Sequence, residues 1–276
     1  MTTTTTARKP FYEAYGGSAP EAYERYFVPL IGGPLAHDLI AEAGLRAGER
    51  VLDVACGTGV VARLAAERVG AGGSVAALDL NAAMLDVART VPAPAAPPIR
   101  WYESPAESMP LPDGAFDVVL CQLGLQFIEN KGAALREMHR VAGKGGRVLV
   151  SVPVPTPTEF FGVLDEALAR RIPGAAEFVR VVFSLNDPAE VERLFRSAGF
   201  REVAVRLYTK TLRFPAAKEF LWQYVQCTPL AAQLAEADHA LLESLERDVV
   251  EGWRPWTSGG GMRHEQGMIV VTARRE

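Results

Sequence analysis

Val51-Leu52-Asp53-Val54-Ala55-Cys56-Gly57-Thr58-Gly59 is the stretch on which the reading of this chain turns. The run from Arg50 to Ala55 reads as a short strand. From Gly59 to Val69, Val60, Val61, Leu64, Ala65 and Arg68 recur at helical spacing. Between strand and helix lie glycines, which permit a tight turn and let a ligand approach the backbone closely. In open α/β sheets, ligands sit beyond the carboxyl ends of the strands, where the strand order reverses.

Working outward, the same alternation repeats. Ser74–Asp79, Ile99–Glu103, Phe116–Cys121 and Arg147–Val152 read as further strands. Asn81 is placed to cap a helix through Arg89, and Asn130–Val141 reads as a helix stopped by Gly143, Gly145 and Gly146. Pro92 to Pro98 is a stiff surface connection. Strands and helices in alternation predict an α/β fold. We expect a Rossmann-like, mostly parallel sheet with helices on both faces, because the strands are almost continuously apolar. Beyond Val152 the pattern loosens. Helices are expected near Glu159–Arg171, Asp187–Ala198, Ala216–Gln226 and Ala231–Glu251, with strands at Phe200–Thr211 and Met268–Ala273. The helical pieces near 154–186 and 214–264 read as insertions covering a ligand site. Residues 1–22 read as a flexible tail and the start of an N-terminal lid, and 23–276 as one domain.

Composition limits the function classes. With 49% hydrophobic and 22% charged residues in 276, the chain is of ordinary globular make-up. No run of 18 or more apolar residues occurs, which argues against a membrane span. A net charge of −4 disfavours nucleic acid as partner, as does the lack of a basic run interleaved with aromatics. Cys56, Cys121 and Cys227 fit no zinc or redox spacing. They read as buried thiols of a cytoplasmic protein, and no metal is expected.

Two cofactor classes compete for the glycine loop. Gly57-Thr58-Gly59-Val60-Val61-Ala62 also fits the dinucleotide pattern, a weak match on its own. Asp79 lies 20 residues after Gly59, where an acid can hold ribose hydroxyls in either class. Asp53 favours one side, since a carboxylate just before the loop would oppose a pyrophosphate. S-adenosyl-L-methionine (SAM) has no phosphate and carries a sulfonium and an ammonium. Glu107, after the third strand, adds another acid at the crevice rim.

Together these motifs resemble the class I SAM-dependent methyltransferases, in particular the small-molecule enzymes of ubiquinone and menaquinone biosynthesis. The likeness runs from about Tyr23 to Val152. It implies an acid followed by alternating glycines, here Asp53, Ala55, Gly57 and Gly59, with Ala55 in place of the first glycine and Cys56 beside it. It implies ribose binding by Asp79, adenine packing by Leu80 and Met84, and adenine-edge recognition by Ala106 and Glu107. Cys121 and Gln122 fall next to the methionine moiety. Leu125-Gln126-Phe127 resembles a segment that often carries histidine where Gln126 stands. The resemblance implies SAM-dependent methyl transfer to a small, partly apolar acceptor, yielding S-adenosyl-L-homocysteine (SAH).

Other residues carry two readings. Tyr23 and Phe27 belong to an aromatic stretch from Tyr12, either a helix packed on the core or a lid with Tyr23 near the methionine carboxylate. Trp222 and Tyr224 read first as core of the insertion, and His37, His139 and His264 as non-catalytic, the first and last at the surface. A SAM-binding sensor or scaffold without methyl transfer, and a nicotinamide-dependent oxidoreductase, are the alternatives to an enzyme of the first kind. Cys121-Gln122-Leu123-Gly124 lacks the Asn/Asp-Pro-Pro-aromatic tetrad that resembles amino-methylating nucleic-acid enzymes.

Overall fold

The computed structural model describes residues 18–95, 97–155 and 160–276. Its centre is one sheet of eight strands. These are β1 (Arg50–Val54), β2 (Ser74–Asp79), β3 (Ile99–Glu103), β4 (Phe116–Gln122), β5 (Ala142–Val154), β6 (Arg201–Phe214), β7 (Thr257–Ser258) and β8 (Gly261–Arg274). The order across the sheet is β3-β2-β1-β4-β5-β8-β6, with β7 pairing the start of β8. The first five strands run parallel, and β8 runs antiparallel to both β5 and β6. The order reverses at β1 and β4, which opens a crevice at their carboxyl ends.

The helices are α1 (Ala19–Ala22), α2 (Gly33–Ala43), α3 (Val60–Val69), α4 (Ala82–Thr90), α5 (Lys131–Val141), α6 (Phe160–Arg171), α7 (Pro173–Val182), α8 (Pro188–Ser197), α9 (Ala217–Gln226), α10 (Leu230–Leu234) and α11 (His239–Gly252). Asn81, Asn130 and Asp187 cap α4, α5 and α8 by accepting backbone N–H groups. Strand alternation sends Leu52, Val54 and Val119 to one face, where they meet Leu135 and Met138 of α5 and Phe195 of α8. Val51, Val75 and Leu120 go to the other, against Leu39 of α2 and Val61 and Ala65 of α3. Burying both faces explains the continuously apolar strands.

Between α1 and α2, residues Tyr23–Gly32 form a π-helix that contains Pro29. Proline has no N–H to donate, and its ring crowds the carbonyl four residues back, so the wider turn accommodates it. A third core joins this segment to α6, α7, α9 and α11, through Ile31, Phe160, Phe178, Phe220 and Trp253 among others. The insertions therefore pack on one another and on the N-terminal segment, over the carboxyl-end crevice.

Several expected boundaries move. β5 begins at Ala142, because Gly143–Gly146 continue it as a bulge: pairing passes from Phe116–Ala142 to Val118–Arg147. The helix expected over Ala231–Glu251 divides, because Asp238 accepts the Leu241 N–H and starts α11 afresh. The final strand starts at Gly261, seven residues earlier than Met268. Its inward positions there include His264 and Gln266, which hide the apolar alternation. α2 has no counterpart in the sequence pattern, whereas α7 falls within the helical piece expected near 154–186. Residues 1–17, which hold most of the expected tail and the start of the aromatic stretch, lie outside the described residues, as do 96 and 156–159.

Candidate active site

A cleft of about 370 Å³ opens at the carboxyl ends of β1 to β4. Each wall comes from a different loop. Ala55 and Gly57 follow β1; Asp79, Leu80, Asn81 and Met84 follow β2; Ser104 to Glu107 follow β3; Leu123, Gly124 and Phe127 to Glu129 follow β4. Tyr23 of the π-helix closes one side. Among the described residues lining the cleft, the charged ones are Asp79, Glu107 and Glu129, all acidic.

Asp79 holds the glycine loop to β2. One of its oxygens accepts the Gly57 N–H at 2.7 Å and the other the Asn81 N–H at 2.9 Å. Burial raises its pKa above the ordinary carboxylate range, opposed by these hydrogen bonds. Glu107 accepts the Asn130 N–H at 3.3 Å, which ties the loop after β3 to the start of α5. Leu80, 39% exposed, presents an apolar side chain to the cleft, with buried Met84 near it.

The loop geometry demands small residues. Gly59 has φ of 84°, and a Cβ there would fall 2.5 Å from the Trp101 ring. Ala55 and Leu123 are non-glycine residues in the left-handed region, at φ 55° and 52°. Such strain concentrates at binding sites, where surrounding contacts over-determine the backbone. A Cβ on Gly124 would lie 2.6 Å from the Ala55 Cβ. The methyl that replaces the expected first glycine thus occupies space that Gly124 leaves free, and the loop survives.

The N-terminal segment is fixed over this loop. Arg63 of α3 pairs with Glu24 at 2.7 Å and donates to the Thr58 carbonyl. Tyr23 stacks on Phe27 with centroids 4.5 Å apart, and its ring edge is 3.8 Å from where a Gly57 Cβ would be. Burial keeps the Tyr23 hydroxyl protonated, well above its ordinary range.

Of the site residues expected from sequence, Tyr23, Ala55, Gly57, Asp79, Leu80, Met84, Ala106 and Glu107 line this one cleft. Five others do not. Asp53 is 1% exposed, and its carboxylate accepts the Ala62 N–H at 2.9 Å, which anchors α3 from beneath the loop. Burial pushes its pKa up to about 8. Cys56 is buried, with its thiol near the Gly57 carbonyl. Cys121 is fully buried in the sheet core. Gln122 donates to the Gly32 carbonyl at 2.8 Å, which joins β4 to the end of the π-helix. Gln126 faces a neighbouring chamber. Leu78, Asn81, Ser104, Pro105, Leu123, Gly124 and Phe127 to Glu129 are additions; their sequence signal is adjacency to the motif residues.

That neighbouring chamber, of about 70 Å³, shares Tyr23, Leu123 and Phe127 with the cleft. Phe27, Phe161, Phe178, Phe183 and Tyr224 line it, with Gln126, Thr228 and Gln266 as polar members. None of its described lining residues is charged. Gln126 is 3% exposed; its amide donates to the Leu123 carbonyl at 3.0 Å, and its Oε1 has no partner. Tyr224 is both core and chamber wall. Trp222 is held by Glu246 at 2.7 Å. His37 is exposed, and His139 packs edge-on to Phe200, 5.0 Å between centroids. His264 corrects the surface reading, since it is 2% exposed.

No described helix is long and apolar enough to cross a membrane, and no described cluster of His, Cys, Asp and Glu could hold a metal. Residues 52–150 match the methyltransferase domain family. A ubiquinone/menaquinone biosynthesis C-methyltransferase of Xylella fastidiosa is 40% identical over 131 residues, 47% of this chain and 47% of that protein. A homologue from Hahella chejuensis with the same description is 42% identical over 113 residues, 40% of this chain and 45% of its own length. The chain thus spans about half the length of the curated relatives it matches. Among solved structures, a Bacillus halodurans protein superposes with a TM-score of 0.57 at 22% identity, covering 87% of this chain and 98% of its own. The [4+2]-cyclase SpnF does so at 0.54 and 20%, covering 87% and 80%, so the shared architecture alone does not specify a reaction. Residues 52–150 are thus similar in sequence to the methyltransferase domain family and to the ubiquinone/menaquinone C-methyltransferases, and the chain shares its fold with the solved structure from Bacillus halodurans.

Proposed function

We propose that this protein transfers the methyl group of SAM to a small, partly apolar acceptor and releases SAH. One observation carries the reading: among the described residues lining the cleft beyond the glycine loop, the charged side chains are Asp79, Glu107 and Glu129, all acidic. That wall suits a cofactor with a sulfonium and an ammonium, and it repels the pyrophosphate of a dinucleotide.

In this reading Asp79 holds the ribose hydroxyls. Leu80 and Met84 pack on the adenine, and Ala106 and Glu107 meet its edge. Ala55, Cys56 and Gly57 present backbone to the methionine moiety, with Tyr23 above its carboxylate. Asp53, Cys121 and Gln122 act from beneath, by fixing the loop and strand ends. When bound, SAM supplies a methyl group that is already activated toward nucleophiles.

The acceptor occupies the aromatic chamber, which meets the cleft at Tyr23, Leu123 and Phe127. No carboxylate, imidazole or amine among the described residues lines it, so orientation and water exclusion carry the rate. Such positioning supplies up to about 7–11 kcal/mol in the best cases. The methylated atom is an oxygen, carbon or nitrogen. The domain is taken to extend from 23 to 276, its insertions forming the chamber, in a protein of the cytoplasm.

Calorimetric titration with SAM, SAH and NADH, on wild type and Asp79→Ala, tests the assignment. Binding of both adenosyl ligands, weakened by the substitution, is expected. Binding of NADH alone would overturn it. SAH formation dependent on an added acceptor then separates an enzyme from a SAM-binding scaffold.

A further inference from the structure

A second cavity, of about 330 Å³, lies beyond the aromatic chamber. The two share Phe161, Phe183 and Gln266 as a common wall. Its lining is graded. Glu166 and the ion pair of Asp165 with Arg180, 3.2 Å apart, stand toward solvent, the arginine side chain 61% exposed. Deep inside is His264, 2% exposed, its ring stacked on Phe160 at 4.6 Å.

His264 has an unmet need. Gln266 donates its amide to the carbonyls of Val154 and Gly267, at 3.2 and 2.8 Å, which fixes the direction of its oxygen. The Gln266 side chain neighbours the His264 ring and favours its protonated form. The ring nitrogen Nδ1 is buried without a partner. Burial nevertheless holds the ring neutral, its pKa pushed down to about 4. A neutral imidazole whose proton lies on one nitrogen offers a lone pair on the other. Leaving that acceptor unmade costs about 1–3 kcal/mol, or about 5- to 150-fold in an equilibrium, and nothing in the methyl-transfer reading uses it.

We propose that this cavity is a distal acceptor subsite: the acceptor is elongated, its methylated end in the aromatic chamber, its apolar middle passing Phe161 and Phe183, and its far end a neutral hydrogen-bond donor given to His264 Nδ1. This rests on the methyl-transfer reading. It narrows the acceptor to molecules with a hydroxyl or amide N–H remote from the reacting atom. A compact acceptor would leave both the cavity and the imidazole lone pair unfilled.

Two probes of equal length test it, 6-phenylhexan-1-ol and its isomer 5-phenylpentyl methyl ether, which lacks the donor. Both are titrated into the SAH-saturated protein, wild type and His264→Phe; phenylalanine retains the stacking on Phe160. The alcohol is expected to bind about tenfold more tightly than the ether to wild type, and equally to the variant. Equal binding to wild type, or a preference that survives in the variant, would overturn the subsite, as would failure of both probes to bind. Wild-type protein labelled with [15N]histidine gives an answer independent of the variant's folding. The His264 Nδ1 resonance should move with the alcohol and not with the ether, and an unmoved resonance also overturns the proposal. SAH affinity, measured first, separates the two levels. Its absence in wild type sinks the cofactor reading, whereas its presence without discrimination between the probes sinks only the subsite.

Discussion

The Ala55 methyl occupies the space that a side chain at position 124 would need, with 2.6 Å between the Ala55 Cβ and an ideal Cβ on Gly124. The family pattern has glycine at the first position; here the alanine sits at φ 55°, and its partner across the crevice is the glycine. Left-handed backbone costs a non-glycine residue about 1–2 kcal/mol. Ala55→Gly removes that strain but adds about 0.4–1 kcal/mol of unfolded-chain entropy, so a gain of at most about 1.6 kcal/mol is expected. Gly124→Ala should lower the urea midpoint and weaken SAH. The double variant should recover much of both losses, with a coupling of about 0.5–3 kcal/mol. Additive effects in the four-protein denaturation cycle would show that the two residues do not share this space.

Asp53 gives the protein an unusual pH dependence. Its folded pKa of about 8 exceeds the ordinary carboxylate value through burial, against the Ala62 hydrogen bond. The folded state therefore binds more protons than the unfolded state between about pH 4 and 8. Stability is fully present below the unfolded pKa and falls as pH rises through the folded one. Asp79, also raised, acts in the same direction. Urea midpoints at pH 5 and pH 8 should fall with pH in wild type and fall less in Asp53→Asn, which keeps an acceptor for Ala62. An equal slope in both proteins would place the proton elsewhere.

Why the sequence disclosed the cleft better than the chamber follows from the kind of signal each leaves. Asp79, Ala106 and Glu107 sit at fixed offsets from strand ends, and a strand that is apolar throughout announces its own end. Asp53 shares that spacing, yet alternation along β1 turns its carboxylate to the α3 face, so motif position alone misplaces its contacts. The chamber is assembled by long-range packing: Phe161 from α6, Phe178 from α7 and Tyr224 from α9 meet across dozens of residues. No local periodicity records such a meeting. The start of β8 is hidden in the sequence because its inward side carries His264 and Gln266, polar residues placed where a strand normally shows apolar ones.

The pair Glu24–Arg63 should govern how long the cofactor stays. At 2.7 Å, with side chains 20% and 11% exposed, it fastens the segment carrying Tyr23 to the first helix after the glycine loop. Hydrogen bonds to charged groups contribute about 1.5–3 kcal/mol. Glu24→Gln should raise the SAH dissociation rate by about tenfold or more, with a smaller effect on association. Stopped-flow displacement of SAH measures both. An unchanged dissociation rate would show that the N-terminal segment is packing rather than lid.

Gln126 sets stability against binding. Its Oε1 is buried in the aromatic chamber without a partner, while its amide donates to the Leu123 carbonyl. An orphaned buried acceptor costs about 1–3 kcal/mol, and the single amide bond contributes about 0.5–1.5 kcal/mol. Gln126→Met, similar in shape and without polar hydrogen-bonding atoms, removes both. The variant should therefore unfold at an equal or higher urea concentration than wild type. If an acceptor's donor group completes the Gln126 oxygen during turnover, the same variant should raise the acceptor KM by about tenfold while leaving SAH affinity unchanged. A residue conserving structure alone would behave in the opposite way, losing stability with KM intact. Denaturation midpoints and acceptor kinetics on this one variant thus distinguish a polar group retained for the acceptor from one retained for the fold.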